Sequence, residues 1–248
     1  GEDGPTDYLY LFNVEDKSSK IIKTNRFKDQ ELSLEMPSFK QKDTYAKPFK
    51  IKWLGDNRGF YFNRRSRDLK RFDVCWASVE SDTCKAVIEE RLNTYVENRP
   101  IQVTSDGKEI IQWSERNGWA HLYLYSNDGT LKNAITTGAY HVEDVVKIDE
   151  AARKIYFIAN GVNKAENPYY THLYSINFDG SGMKQLDSFD YDYEVSGCDN
   201  GKYFVLNYSR VDTTPKSMLI DNNGRKIMDL ETADLSQLFA AGYKFQIG

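Results

Sequence analysis

The chain has 248 residues, with 33 Lys and Arg against 37 Asp and Glu and a net charge of −4. That length allows one large domain or two small ones. The charge balance excludes the clustered positive surface that neutralises phosphates, so no nucleic-acid partner is expected. No apolar run approaches the ~20 residues that cross a bilayer as a helix, so no membrane partner is expected either. No leader segment is visible, and Gly1 reads as a trimmed start. The 17 Tyr, 13 Phe and 4 Trp suit half-buried strands.

In chain order, Tyr8-Leu-Tyr-Leu-Phe-Asn-Val14 and Lys20-Ile-Ile-Lys23 predict a hairpin, the outer half of a blade whose inner half is missing. The stretch 24–44 is polar, lacks a strand period and reads as a long connection. Four passes of one pattern follow. Leu54-Gly-Asp-Asn-Arg-Gly-Phe-Tyr-Phe62, Thr104-Ser-Asp-Gly-Lys-Glu-Ile-Ile111, Ile148-Asp-Glu-Ala-Ala-Arg-Lys-Ile-Tyr-Phe157 and Cys198-Asp-Asn-Gly-Lys-Tyr-Phe-Val205 are each a polar turn leading into an apolar strand. Tyr61, Ile110, Tyr156 and Tyr203 recur roughly every 47 residues, the repeat length of β-propellers with four strands per blade. Each pass carries a second hairpin, at 72–88, 121–135, 172–186 and 217–230. Their turns read Ser81-Asp82, Asn127-Asp-Gly129, Asp179-Gly-Ser-Gly182 and Asn222-Asn-Gly224. Asn-Gly and Asp-Gly supply the positive φ of tight hairpin turns. A β-sandwich also has evenly spaced strands, but does not usually repeat one turn signature at one period.

The expected fold is all-β, a partial β-propeller of about four four-stranded antiparallel blades with a short C-terminal helix. The expected units are 1–44, the outer hairpin of a preceding blade plus connection; blades at 45–98, 99–141, 142–190 and 191–233; and a terminal 234–248. In that terminal unit Asp234 is placed to cap a helix, Gln237 sits three residues on, and Gly242 is placed to end it.

Several segments resemble one family. Asn63-Arg-Arg-Ser-Arg-Asp-Leu-Lys-Arg-Phe-Asp-Val-Cys75 and Leu92-Asn-Thr-Tyr-Val-Glu97 resemble middle blades of bacterial dipeptidyl peptidase IV N-terminal regions. Ser114-Glu-Arg-Asn-Gly-Trp-Ala-His-Leu-Tyr-Leu-Tyr125 is similar to the family's most recognisable stretch. Ala159-Asn-Gly161 with Asn167-Pro-Tyr-Tyr-Thr-His-Leu-Tyr174, and Tyr208-Ser-Arg-Val-Asp-Thr-Thr-Pro215, resemble the following blades. The resemblance covers roughly 45–242. It implies a propeller over an α/β-hydrolase domain, in a serine exopeptidase that removes dipeptides from peptide N-termini, proline preferred at the second position. It places the catalytic triad in the hydrolase domain, after the 234–241 helix, so 234–248 would be a hinge towards a hydrolase domain absent from this chain. It also implies a periplasmic or extracellular location.

The chain's own chemistry agrees with a non-catalytic role. The G-x-S-x-G elbow of an α/β-hydrolase does not occur, and Gly180-Ser-Gly182 is too short and sits in a hairpin turn. No catalytic residue is assigned. No C-x-x-C pair occurs and His121, His141 and His172 are far apart in sequence, so neither a metal nor another cofactor is expected. The run 187–194, with Asp190, Asp192 and Glu194, reads as a solvated link rather than a calcium site. Trp119, Tyr123 and Tyr125 alternate as strand residues packing a core would.

In a four-stranded blade, the loop between strands two and three and the link to the next blade leave on the same side. Here those loops are the longer ones, and function concentrates in such loops. They supply the substrate-pocket candidates Arg99, Asn98, Arg116, Trp119, Tyr169 and Tyr170. Arg99-Pro100 occupies the place of an Arg-Pro that the resemblance puts near the peptide cavity, but Asn98 stands where mammalian members have an aromatic residue. The acidic pair that holds a substrate's amino group belongs to an earlier blade and has no match here. Expected partners are therefore the remaining blades, the hydrolase domain and a peptide substrate. Strand edges left open on a partial ring also predict self-association. The alternative function is a stand-alone propeller scaffold that self-associates.

The cysteines stay open. A two-residue turn at Ser81-Asp82 sets Val79 opposite Cys84 and leaves Cys75 apart, which favours free thiols. A bulge or longer turn brings Cys75 and Cys84 together, and mammalian members of the family carry a disulfide in what resembles the corresponding hairpin. Cys198 belongs to another repeat and is expected to be unpaired.

Overall fold

The computed structural model describes residues 6–34, 58–188 and 190–245. The first repeat's turn at 54–57 lies outside them. Among the described residues the strands form four four-stranded sheets and one two-stranded sheet. The hairpin pairs β1 (Leu9–Phe12) with β2 (Ser19–Ile22), as the sequence predicts. The first blade is β3 (Glu31–Leu34), β4 (Gly59–Arg65), β5 (Arg71–Ser78) and β6 (Cys84–Arg91). The second is β7 (Gln102–Val103), β8 (Glu109–Ser114), β9 (His121–Ser126) and β10 (Leu131–Ala134). The third is β11 (His141–Asp149), β12 (Lys154–Asn160), β13 (Thr171–Asn177) and β14 (Lys184–Gln185). The fourth is β15 (Asp192–Gly197), β16 (Tyr203–Ser209), β17 (Lys216–Asp221) and β18 (Lys226–Thr232). In each, strands adjacent in sequence are adjacent in the sheet. The chain divides into two compact units, residues 1–118 with 122–133, and 119–121 with 134–248.

The second strand of a blade is the most apolar because both its faces are covered. Every residue of β8 is buried, as are the first six of β4 and the middle five of β12. In β16 only alternate residues are buried. In the first unit, Ile22, Phe60, Phe62, Cys75 and Ala77 form one core with Leu9, Leu11, Leu32 and Leu34 against it. In the second, Tyr156, Leu173, Leu186, Tyr193, Val195, Phe204, Leu206 and Ile220 form another. Each fully buried aromatic or aliphatic side chain contributes about 1.5–3 kcal/mol.

Five details differ from the sequence reading or sharpen it. First, β3 lies within the stretch read as a connection and pairs with β4, Leu32 opposite Arg64, so the first blade begins before residue 45. Its four residues are too few to display a period against the surrounding polar sequence. Residues 35–57 lie outside the described residues. Second, where the fourth repeat's apolar strand opens, Tyr203 is 45% exposed and Phe204 is buried. Third, the helix is Ser236–Ala240, capped at Leu235 without a side-chain bond. Asp234 Oδ1 accepts instead from Ser236 N at 2.9 Å, while Gly242, at φ +91, follows the helix as predicted. Fourth, Trp119 precedes β9 rather than lying on it, and is 44% exposed, while Tyr123 and Tyr125 are buried. Fifth, the turn after β5 is longer than two residues. Ala77, not Val79, opposes Cys84, and a bulge between Val74 and Cys75 places Cys75 opposite Ala86.

Candidate functional site

The loops between second and third strands, and the links between blades, leave each sheet at one end, and the candidate residues lie in them. In the first unit Arg99 and Arg116 both stack on aromatic rings. The Arg99 guanidinium lies 4.0 Å from the Trp113 ring centre, and its Nε donates to Glu97 Oε1 at 3.0 Å. Asn98 beside it is half-buried. Arg116 lies 4.2 Å from the Tyr123 ring centre. Its Nε donates to Ser114 Oγ at 3.0 Å and its Nη2 to Gln112 Oε1 at 2.7 Å. Its Nη2 also bonds Glu90 Oε1, and its Nη1 bonds the Tyr125 hydroxyl. Burial works against the charge, but Glu90 and Tyr125 outweigh it and hold the Arg116 pKa above its ordinary value. Burial likewise raises the Tyr123 and Tyr125 hydroxyls. So many bonds fix Arg116 as a brace between β6, β8 and β9.

A second brace lies at the same end of the first blade. Asp73 is fully buried and accepts from Arg64 Nη2 at 2.7 Å, Arg91 Nη2 at 2.6 Å and Arg26 Nη1 at 3.2 Å. The guanidiniums of Arg26, Arg64, Arg71 and Arg91 surround the Phe27 ring at 4.7–5.8 Å. Next to it, on β5 and β6, are Cys75 and Cys84, neither in a disulfide. The Cys75 thiol donates to Cys84, which lowers Cys84 to about 7 and, with burial, raises Cys75.

In the second unit, Lys164 Nζ stands 5.7 Å from the Trp119 ring centre and donates to Gly161 O at 2.7 Å. This brings Trp119 beside the 161–170 connection that carries Tyr169 and Tyr170. Tyr169 is 80% exposed, Tyr170 half-buried. Asn167 Oδ1 accepts from Tyr169 N at 3.0 Å, which holds the tip of that connection. The acidic run is not a solvated link at its start. Asp187 is fully buried, 2.9 Å from His172 Nδ1. Asp192 accepts from Thr171 N and Oγ1, and Asp190 pairs with Arg210. Among the described residues no group of three or more His, Cys, Asp or Glu is arranged to hold a metal ion.

Glu90, Gln112, Asp73 and the His172 cluster were not singled out by the sequence. A signal existed for two of them. Asp73 stands between Phe72 and Val74, and His172 opens the apolar run His-Leu-Tyr-Ser-Ile. A polar residue at an inward strand position needs a partner.

The sequence model of the family described as "Dipeptidyl peptidase IV (DPP IV) N-terminal region" matches residues 2–215. The chain belongs to that family. It is 30% identical over 216 residues to a dipeptidyl peptidase 4 of Arthroderma otae, covering 82% of this chain and 25% of that protein. It is 27% identical over 213 residues to a dipeptidyl peptidase 4 of Trichophyton rubrum, again 82% of this chain and 25% of that one. The crystal structure of Porphyromonas gingivalis dipeptidyl peptidase 4 superposes with a TM-score of 0.73 at 19% identity, covering 94% of this chain and 30% of that one. The fold is therefore the partial propeller that the repeats predict. The dipeptidyl peptidase IV region described here spans about a quarter of the length of these curated relatives.

Proposed function

We propose that this chain is the non-catalytic propeller region of a dipeptidyl peptidase IV-like serine exopeptidase. It shapes the path by which a peptide reaches the active site and docks on a hydrolase domain through the 234–248 segment. The observation that supports this most is the construction of one blade end in the first unit. Arg99 stacks on Trp113 beside Glu97, and Arg116 ties β6 of the first blade to β8 and β9 of the second through Glu90, Gln112 and Tyr125. A stacked guanidinium suits a peptide carbonyl or carboxylate. Tyr169 and Tyr170, and the exposed Trp119, offer aromatic contacts for a peptide in the second unit. The family resemblance supports the reading that the protein is exported. No helix among the described residues is long and apolar enough to cross a membrane.

The test has two arms. The isolated chain, given a Gly-Pro chromogenic substrate and a serine-reactive probe, is expected to show neither turnover nor labelling. In the full-length protein that carries this region, Arg99→Ala is expected to raise KM with little change in kcat, the signature of lost ground-state binding. Turnover by the isolated chain, or unchanged kinetics in the variant, overturns the respective half of the proposal.

A second reading, a self-associating scaffold, is favoured by one observation. β18 is exposed along its whole length and includes Ile227, Met228 and Leu230.

A further inference from the structure

His172 lies between two carboxylates that come from different connections. Its Nδ1 is 2.9 Å from Asp187 Oδ1, in the link between β14 and β15. Its Nε2 is 3.1 Å from Glu166 Oε1, in the 161–170 connection between β12 and β13. The side chains are 4%, 0% and 6% exposed for His172, Asp187 and Glu166. Asp187 is locked in place, since its Oδ2 accepts from Leu173 N at 2.6 Å and its Oδ1 from Gln185 Nε2 at 2.8 Å. Glu166 Oε1 also accepts from Asp190 N, and Asp190 pairs with Arg210.

A neutral imidazole has one N–H and one lone pair. With Nδ1–H directed at Asp187, the lone pair of a neutral ring would face the Glu166 carboxylate. An imidazolium presents positive charge to both. Three buried groups carrying two negative charges need that proton, because an uncompensated buried charge is costly. Also facing the ring are Tyr174 on its own strand, Tyr193 on β15 and the neutral Gln185 on β14. Burial raises both tyrosine hydroxyls, that of Tyr193 to about 12, so neither ionises near neutral pH.

We propose that His172 is a proton-operated clamp: protonated, it fastens the 161–170 connection to the link between β14 and β15 through Glu166 and Asp187, and on losing its proton it releases that connection. Burial opposes the charge, but Asp187 and Glu166 together raise the His172 pKa above its ordinary 6.5, so the clamp is closed at acidic pH and opens as pH rises through that raised value. The released segment is the one that carries Tyr169 and Tyr170. Any consequence for peptide access rests on the function proposed above, whereas the clamp does not.

The test uses the 248-residue chain without substrate, so its failure is distinct from failure of the proposed function. The His172 ring proton is followed by NMR from about pH 5 to 9, together with hydrogen exchange of amides in 161–170 corrected for intrinsic rates. His172 is expected to titrate above 6.5. Between that value and its folded pKa, protection of 161–170 should fall about tenfold per pH unit. In Glu166→Gln the His172 titration should move down and the loss of protection should move with it, while His121 titrates unchanged. Protection that stays flat across the His172 titration overturns the clamp. So does a His172 that titrates below 6.5, or a folded Glu166→Gln chain that leaves both curves in place. If that variant does not fold, the two wild-type curves decide alone.

Discussion

The Trp76 indole lies against Gly59, so close that a Cβ on Gly59 would stand 2.4 Å from Nε1. Gly59 opens β4 opposite Ser78 on β5, and its φ is not in the left-handed region, so steric room alone requires a glycine there. Gly59→Ala must displace the indole. We expect a loss of about 1–3 kcal/mol, the usual cost of overpacking, and a change in Trp76 fluorescence. An unchanged urea midpoint with unchanged emission would show that the indole is not held there.

Asp73 is the next test of the first blade. Its buried carboxylate joins Arg64, Arg91 and Arg26, and Arg64 also donates to Thr24 O at 2.6 Å. Asp73→Ala leaves the buried Arg64 guanidinium without its counter-charge. Breaking a buried pair from one side costs about 3–5 kcal/mol. Urea unfolding should therefore show a much lower midpoint, or no folded baseline. Exposed pairs such as Lys23–Asp82 make the control, since Asp82→Ala should shift the midpoint hardly at all.

The blade pattern was readable where the backbone itself imposes a residue type. Gly129 has φ +94, and a Cβ there would stand 1.9 Å from Val87 O, so its hairpin turn demands the glycine that the repeat displays. The sequence was silent where the outcome depends on a neighbour far along the chain. Tyr203 and Phe204 are both aromatic, and only the packing of the adjacent sheet decides which one is buried. Glu31-Leu-Ser-Leu34 pairs with β4 across a long intervening stretch, and four residues carry too little alternation to show it. The His172 cluster gathers Glu166 and Asp187 from two loops, so its parts had no common spacing to betray them.

The two buried histidines should pull stability in opposite directions. His121 Nδ1 is 3.0 Å from Thr136 Oγ1 and Nε2 is 3.0 Å from Gly138 O, with the Tyr140 ring edge-on at 5.1 Å. Burial lowers its pKa from 6.5 despite the Gly138 bond. A lowered folded pKa gives stability that is complete above 6.5 and is lost as pH falls through the folded value. For His172, whose pKa is raised, stability is complete below 6.5 and is lost as pH rises through the folded value. Thermal melts at about pH 7 and 5.5 should therefore show a larger acid loss in the wild-type chain than in His121→Gln. Equal losses would mean that His121 is not the buried neutral ring described here.

The paired thiols give a redox prediction. Cys84, lowered to about 7 by the bond from Cys75, is the first of the pair to ionise, and thiolates are the reactive form. At about neutral pH Cys84 should be alkylated well before Cys75. We propose that under oxidising conditions these two join, and that non-reducing peptide maps will yield a linked Cys75/Cys84 peptide with Cys198 outside it. A bond to Cys198, or a Cys75 that reacts first, would contradict the register of β5 and β6.

Each unit also presents an apolar face that its own sheets do not cover, and this leads to a prediction about association. In the second unit Tyr203, Ile227, Met228 and Leu230 are each at least 42% exposed, on β16 and β18. In the first, Tyr10, Phe12 and Ile21 on the β1–β2 hairpin are at least 41% exposed. Exposed apolar surface marks interaction or aggregation, and unpaired strand edges add hydrogen-bonding groups beside it. A second copy of the chain offers a surface of the same character that can cover these faces. Sedimentation velocity at micromolar concentration should therefore show concentration-dependent association. Met228→Lys with Leu230→Glu places charge on one face, and Tyr10→Lys with Phe12→Glu on the other. If both faces join in the contact, either pair of substitutions should return the chain towards a monomer. If only the first pair does, β18 associates with its own counterpart, the self-complementary arrangement of a two-fold dimer. A wild-type chain that sediments as a monomer at every concentration would mean that neither face drives association.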